Sequence, residues 1–439
     1  MNFGSLLGHG VGSRGTLPLP FWQFSWAAIA ALVLSFLGLG ALWRTPKLTS
    51  TSGRLVPGTV GPMLVGTWLL RVLGLALFGL TFGAALFGAD VAGESVNLAP
   101  VTVYVMMWVA VPIASAVVGN LWRTLNPFRT IGLLFPQRTA HDAPNHRWIA
   151  AATLFGFLVL ELVHPSGDSP RILGWAMVVY TALMVGGLAR FGRVWLDRAD
   201  GFDALFSLIA ALSPFSQAAT GELIVRKPLS GLSSIVVLPG TAMIILIVLG
   251  GTSFDGFSES PIFIDIIGRP TGWGAVAPKL LGLVVMIGIA TILYWIGTRQ
   301  TAKITGIGHD EAANVFAPSL IPIVWAYIIA HYAQLVIDQS QSFVHRLSNP
   351  YGRFDAAGNP IHDWLGTATN NVDLNVIDVD LVAWVQALSI VIGHVLAVLY
   401  SHDLAVSRFD TRNAARSQQT MLIVMVLYSV AGLWLLFSA

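Results

Sequence analysis

Residues 21–43 read FWQFSWAAIAALVLSFLGLGALW, a run without a single charged side chain. A helix of about 20 apolar residues spans the hydrocarbon core of a bilayer. The run is too long for the apolar core of a cleavable signal peptide, and the Arg44-Thr-Pro that follows lacks a small-residue cleavage site. Blocks of the same kind recur along all 439 residues, separated by short polar stretches. In all, 55% of the residues are hydrophobic and 10% are charged, where a soluble domain carries about 25% charged residues. Such a chain cannot cover a soluble surface, which excludes a soluble enzyme, a nucleic-acid binder and a disordered protein. Backbone groups in lipid must bond within their own segment. The prediction is an all-α, polytopic helical membrane protein in a single integral-membrane domain.

Working outward, spans are predicted near 21–43, 63–88, 100–121, 148–164, 172–192, 233–253, 275–297, 316–339, 381–404 and 420–438. The fourth is short. Leu205 to Phe215 is too short to cross and is expected as an interfacial or re-entrant helix. Lys and Arg are retained on the cytoplasmic side; 17 of the 24 fall in loops after odd-numbered spans and five on the opposite side, with Arg71 and Lys279 inside spans. That bias predicts ten helices with both termini outside. Trp22, Trp43, Trp122, Trp148, Trp175, Trp273, Trp295 and Trp384 fall near the proposed ends, where the amphipathic ring prefers the headgroups. The chain has no cysteine, hence no disulfide, thiolate metal site or cysteine nucleophile. The largest extramembrane piece, Ser340 to Asp380, is too small for an independent domain and is expected to cap the bundle from outside. Its Asp373, Asp378 and Asp380 match no EF-hand spacing.

Ionisable groups inside spans cost about 2.5–3.5 kcal/mol each on insertion scales, so they face a partner, a cavity or a pathway. The fourth span ends Leu158-Val-Leu-Glu161-Leu-Val-His164-Pro, which puts Glu161 and His164 on one helix face. Glu-x-x-His is the arrangement that brings a carboxylate and an imidazole to a metal in di-metal bundles. The eighth span carries His331 and Asp338, with Tyr327 and Gln334 nearby, after Pro318 and Pro322, which are expected to permit a kink. The ninth adds His394 and, at its inner end, Ser401, His402 and Asp403. Counting helical rise, Asp338, Glu161 and His164 lie within about 5 Å of the outer boundary, His331 about 12 Å deep and His394 about 20 Å deep. If spans four, eight and nine are neighbours, these groups line a shaft from the outer face. The inventory suits a divalent transition metal (Zn, Mn, Fe or Cu) and equally a proton relay.

Arg71, deep in the second span, needs a partner or a water-filled cavity, and Asp403 is the one acid placed inside the inner end of a span. Other motifs fail on context. Gly10-Val-Gly12-Ser-Arg-Gly15 has no strand before it and no helix after it. Ser401-His402-Asp403 is no triad, because helix neighbours point about 100° apart. His309 lies in an inner loop and His9 in the N-terminal tail, both read as solvated, while Asp90 and Glu94 lie just outside the second span.

The string Gly8-His-Gly-Val-Gly-Ser-Arg-Gly-Thr-Leu-Pro-Leu-Pro before the first span, together with Trp122-Arg-Thr-Leu-Asn-Pro-Phe-Arg129, Leu160-Glu-Leu-Val-His-Pro165, Leu196-Asp-Arg-Ala-Asp-Gly-Phe202 and Ala330-His-Tyr332, resembles actinobacterial integral-membrane proteins carried under the name fenitrothion hydrolase. The resemblance implies cleavage of a phosphotriester bond in a hydrophobic organophosphate; it carries no catalytic residues with it. A His/carboxylate-bound metal would lower the pKa of its water towards about 7. On that hypothesis His164, His331 and His394 are metal ligands, Glu161 is a ligand or general base, and Asp338 orients a ligand. Two other classes stand beside it. One is a proton- or cation-coupled transporter in which Glu161, His331 and His394 pass protons and Pro-interrupted spans three, six and eight move. The other is a membrane subunit anchoring an external partner through the outer loop. Expected contacts are membrane lipid and a hydrophobic small molecule, with no nucleic acid.

Overall fold

The computed structural model describes residues 20–49, 53–90, 96–136 and 143–438, the side chains of 411, 412 and 436–438 excepted. Among these residues nine helices are long and apolar enough to cross a membrane: Phe21–Leu42, Val60–Phe87, Leu98–Val118, Pro170–Phe191, Thr241–Ser258, Gly272–Thr305, His309–Ser348, Val379–Arg408 and Asn413–Leu435. A shorter apolar helix, Trp148–Val163, takes the fourth place in the order. The chain is an all-α polytopic membrane protein. His9, Glu94 and the glycine string at 10–15 lie outside the described residues.

Hydrogen bonds sort the connections onto two faces. On one face Arg54 pairs with Val225 in a small antiparallel sheet (Arg54–Val56, Leu223–Val225 and Phe215–Gln217). There the Arg129 guanidinium meets Asp197 and Asp203, and the Arg147 backbone N–H donates to the Pro239 carbonyl at 2.7 Å. On the other face the Ala89 N–H donates to Tyr351 O and the Leu98 N–H to Pro350 O, while Ser169 donates to Asp90 at 2.8 Å. Loops after odd-numbered segments therefore share one face and loops after even-numbered segments the other. This pattern requires Trp148–Val163 to run from face to face. Its 16 residues reach about 24 Å.

The sixth and eighth segments are mostly buried, whereas the first and second present most of their surface outward. The outward apolar side chains, Trp22, Leu69 and Val72 among them, form the surface that lipid covers. The centre of the bundle is thus the sixth and eighth helices, flanked by the third, seventh and ninth.

Four expectations shift. The sixth helix is Thr241–Ser258 rather than 233–253. It continues through Gly250 and Gly251 because both are close-packing positions: a Cβ on Gly250 would stand 2.4 Å from Ile287 Cα, and one on Gly251 would stand 2.5 Å from Leu158. Small residues let membrane helices approach this closely. The eighth helix continues to Ser348, so the first nine residues of the expected outer loop are helical. Pro318 lies in the 3₁₀ turn Ala317–Leu320 and Pro322 in the first turn of Ile321–Ser348, where the missing N–H has no intrahelical role; they start the helix rather than kink it. Pro239 likewise precedes Thr241. The helix expected at 205–215 forms at Gly201–Ala210, capped by the Asp200 side chain and almost wholly buried.

Candidate functional site: a buried Asp–His–Tyr network

Asp255 lies three residues from the end of the sixth helix. Because that helix runs on past its glycine pair, the carboxylate is drawn into the protein, 3% exposed. Its Oδ2 stands 2.7 Å from His331 Nε2 and accepts the Tyr332 hydroxyl at 2.8 Å. The two partners are consecutive on the eighth helix and diverge by about 100°, so they clasp Asp255 from two sides, their rings packing edge to face at 4.6 Å. A neutral imidazole with its proton on Nε2 satisfies this geometry.

Glu161 approaches from the fourth helix. The charges of Asp255 and Glu161 act on one another and both act on Tyr332, so the two carboxyl groups share one electrostatic environment. Glu161 Oε2 is shielded and has no hydrogen-bond partner, which a buried polar atom rarely tolerates. The last turn carrying it, Val159–Val163, is π-helical. So is Val101–Ala110 in the third helix, which supplies Trp108 beside Tyr332 and Tyr104, whose hydroxyl donates to Gly167 O at 2.6 Å. π-Turns occur mostly where function requires a locally widened helix, and both here border the same carboxyl pair.

His394 lies deeper, wholly buried, with Nδ1 donating to its own helix at Ile390 O over 2.8 Å. Nε2 is then the lone-pair nitrogen, and it has no hydrogen-bond partner. A polar trail links it to His331. His331, Thr252 and Ser253 line a cavity of about 20 Å³. Ser253 shares a hydrogen bond with the Tyr428 hydroxyl at 2.7 Å. Tyr428 and His394 in turn line a second cavity of about 40 Å³.

The remaining residues singled out by sequence stand apart. His164 Nδ1 accepts the Ser166 N–H at 3.1 Å, and its ring meets Trp273 at 5.4 Å. Asp338 is held by Gln334, whose amide reaches both oxygens at 3.0 and 2.9 Å. The eighth and ninth helices are neighbours, whereas the fourth packs on the sixth and seventh. Among the described residues no three His, Asp or Glu side chains gather as a metal-holding group; Glu161 and His331 both act on Asp255.

Asp403, the acid that the sequence places inside the inner end of a span, is engaged elsewhere. It accepts the Trp43 indole N–H at 2.8 Å, the Lys47, Leu48 and Thr49 backbone N–H groups and the Thr49 hydroxyl. Its work is to fold the loop after the first helix. His309, expected to be solvated, packs on Trp295 and stands 3.2 Å from the Thr298 hydroxyl.

Sequence reading missed Asp255, Tyr332 and Ser253. The available signal was Thr252-Ser-Phe-Asp255, three polar residues in four at the end of an apolar run. No model of a known protein family, no curated protein and no solved structure matches this chain.

Proposed function

We propose that this protein is a transporter of the bacterial plasma membrane that couples cargo movement to protons, with Glu161, Asp255, His331 and His394 as the proton-handling groups. The observation that carries the reading is the Asp255–His331–Tyr332 network inside the bundle, with Glu161, whose Oε2 has no hydrogen-bond partner, in electrostatic reach. Two carboxyl groups that feel one another take up and release protons as a coupled pair, and intramembrane chains of Asp, Glu and His are the material of proton relays. Scale supports the same choice. Cavities of about 20 and 40 Å³ hold one or a few waters, whereas a drug-sized ligand needs roughly 300 Å³ or more. A proton carried on water fits beside His331; a bulky ester does not.

The test is potential-driven proton entry into vesicles that hold the purified protein and a trapped pH dye. Flux above that of protein-free vesicles, reduced at least about tenfold in Glu161→Gln and Asp255→Asn, is expected for relay groups whose protonation is required. Flux equal in wild type and both variants contradicts the relay.

A second reading rests on the same pair and on the resemblance to the fenitrothion hydrolase family. An imidazole fixed by a carboxylate is a general base, and the cavity beside His331 has room for one nucleophilic water. Among the described residues His164, His331, His394 and Glu161 are not gathered as a metal-holding group, and in this reading the base itself activates the water. Fenitrothion cleavage that is lost in His331→Ala and indifferent to chelator supports this reading. No cleavage by the purified protein removes it.

A further inference from the structure

A second polar site, sharing no residue with the Asp255 network, lies on the basic face. Arg71, Arg123, Arg129, Arg193, Leu133 and Asp197 are among the residues lining a pocket of about 350 Å³. Three separate stretches build it: the second helix, the connection after the third, and the connection after the fifth. Four arginines face one carboxylate in that lining.

The pairing among them leaves positive charge uncompensated. Arg129 is taken up by Asp197 and by Asp203 behind it. Arg123 reaches only Asp197, at 3.7 Å, and is half exposed. Arg193 is oriented by carbonyls rather than acids, donating from Nε to Gly132 O at 3.0 Å and from Nη2 to Leu133 O at 3.4 Å. Arg71 lies over the Trp68 ring at 5.1 Å, and its Nε is buried without a hydrogen-bond partner. The charge acting on Arg71 is that of Arg193, of the same sign. Four guanidiniums against Asp197 and Asp203 leave an excess of two positive charges in a built concavity.

Arginine forks match phosphate oxygens in pairs, and basic pockets between membrane helices on the cytoplasmic side take anionic headgroups. The second helix also supplies a place for what a headgroup carries. Trp68, Leu69 and Val72, beside Arg71, are outward-facing, so acyl chains can run along the helix while the phosphate enters the pocket. A space of about 350 Å³ admits one headgroup or one small phosphate ester, at the low end of ligand pockets.

We propose that this pocket binds a phosphate group, presented by an anionic phospholipid or by a free phosphate ester, with Arg71, Arg123 and Arg193 as the recognising residues. The site is separate from the proton relay and stands or falls without it.

Native mass spectrometry of the full chain, offered equal dioleoyl phosphatidic acid and dioleoyl phosphatidylcholine, tests the lipid source. Thermal unfolding with millimolar inorganic phosphate tests the free one. Retention of phosphatidic acid over phosphatidylcholine, falling about fivefold for each of Arg71→Ala and Arg123→Ala and kept in Arg71→Lys and in the distant Arg299→Ala, assigns the site to lipid. Stabilisation by phosphate that vanishes in Arg71→Ala, without lipid preference, assigns it to a free phosphate ester. Circular dichroism and gel filtration of each variant separate loss of binding from loss of fold. If folded wild type shows neither effect, or if both effects survive Arg71→Ala and Arg123→Ala, the proposal is overturned.

Discussion

Asp255 accepts from two neighbours on the eighth helix while a second carboxyl group stands within its field. Removing the acceptor leaves two buried donors unsatisfied at about 1–3 kcal/mol each, so Asp255→Ala should lower the unfolding temperature sharply. The softer pair Asp255→Asn and His331→Ala should be coupled by about 1 kcal/mol or more in a double-mutant cycle; additive effects would mean that the two groups do not share a bond that matters. Tyr332→Phe should cost about 1.5–3 kcal/mol, the range for a hydrogen bond to a charged group. These residues were unevenly legible. Glu161 and His331 announce themselves as ionisable groups in apolar runs. Asp255 did not, because Gly250-Gly251 reads as a helix end when it is in fact a contact surface. Tyr332 carries no charge, so nothing in an apolar helix marks it until its hydroxyl is seen to reach Asp255.

At the level of elements, the sixth helix sets the site by its contact with the seventh. Gly250→Val places side-chain atoms where Ile287 backbone lies. It should cost about 1–3 kcal/mol as an overpacked contact and displace Asp255, read as a lower melting temperature in detergent; an unchanged melt would contradict the tight approach. The buried helix Gly201–Ala210 supplies a pH prediction on the basic face. Asp200, its cap, accepts from Asn126 and Tyr180 at 2.8 Å each; burial, then the charge of Asp203, push its pKa up to about 6. A raised carboxyl keeps its proton longer in the folded than in the unfolded chain. Its stabilising contribution is therefore full below about pH 4 and is lost as pH rises through about 6. Asp200→Asn, which cannot ionise, should gain on wild type across that window, and a stability gap constant from pH 4 to 7 would refute the assignment. Segment identity was readable from runs of apolar residues. Register was not, since an 18-residue helix inside a longer apolar stretch can slide until packing fixes it.

Across the whole molecule, odd and even loops separate onto two faces, which agrees with the lysine and arginine count and leaves orientation as the open variable. Absence of cysteine makes that variable directly measurable. With both termini outside, Ser166→Cys should react with an impermeant maleimide in intact cells and Ser233→Cys only after permeabilisation; the reverse pattern would invert the topology and place the arginine pocket outside. The alternation of faces was legible because charge in loops is a one-dimensional signal. Which helices touch was not, because an apolar face looks alike whether it meets lipid or a neighbour, and the shaft imagined among spans four, eight and nine turned on that choice. The relay turns on one physical event, a proton entering or leaving the Glu161–Asp255 pair. Infrared difference spectroscopy of protein in lipid, between acid and alkaline pH, observes that event in the carboxyl C=O stretch. The relay requires a protonated-carboxyl band that titrates and is lost or displaced in Glu161→Gln or Asp255→Asn; a spectrum identical in wild type and both variants would contradict it.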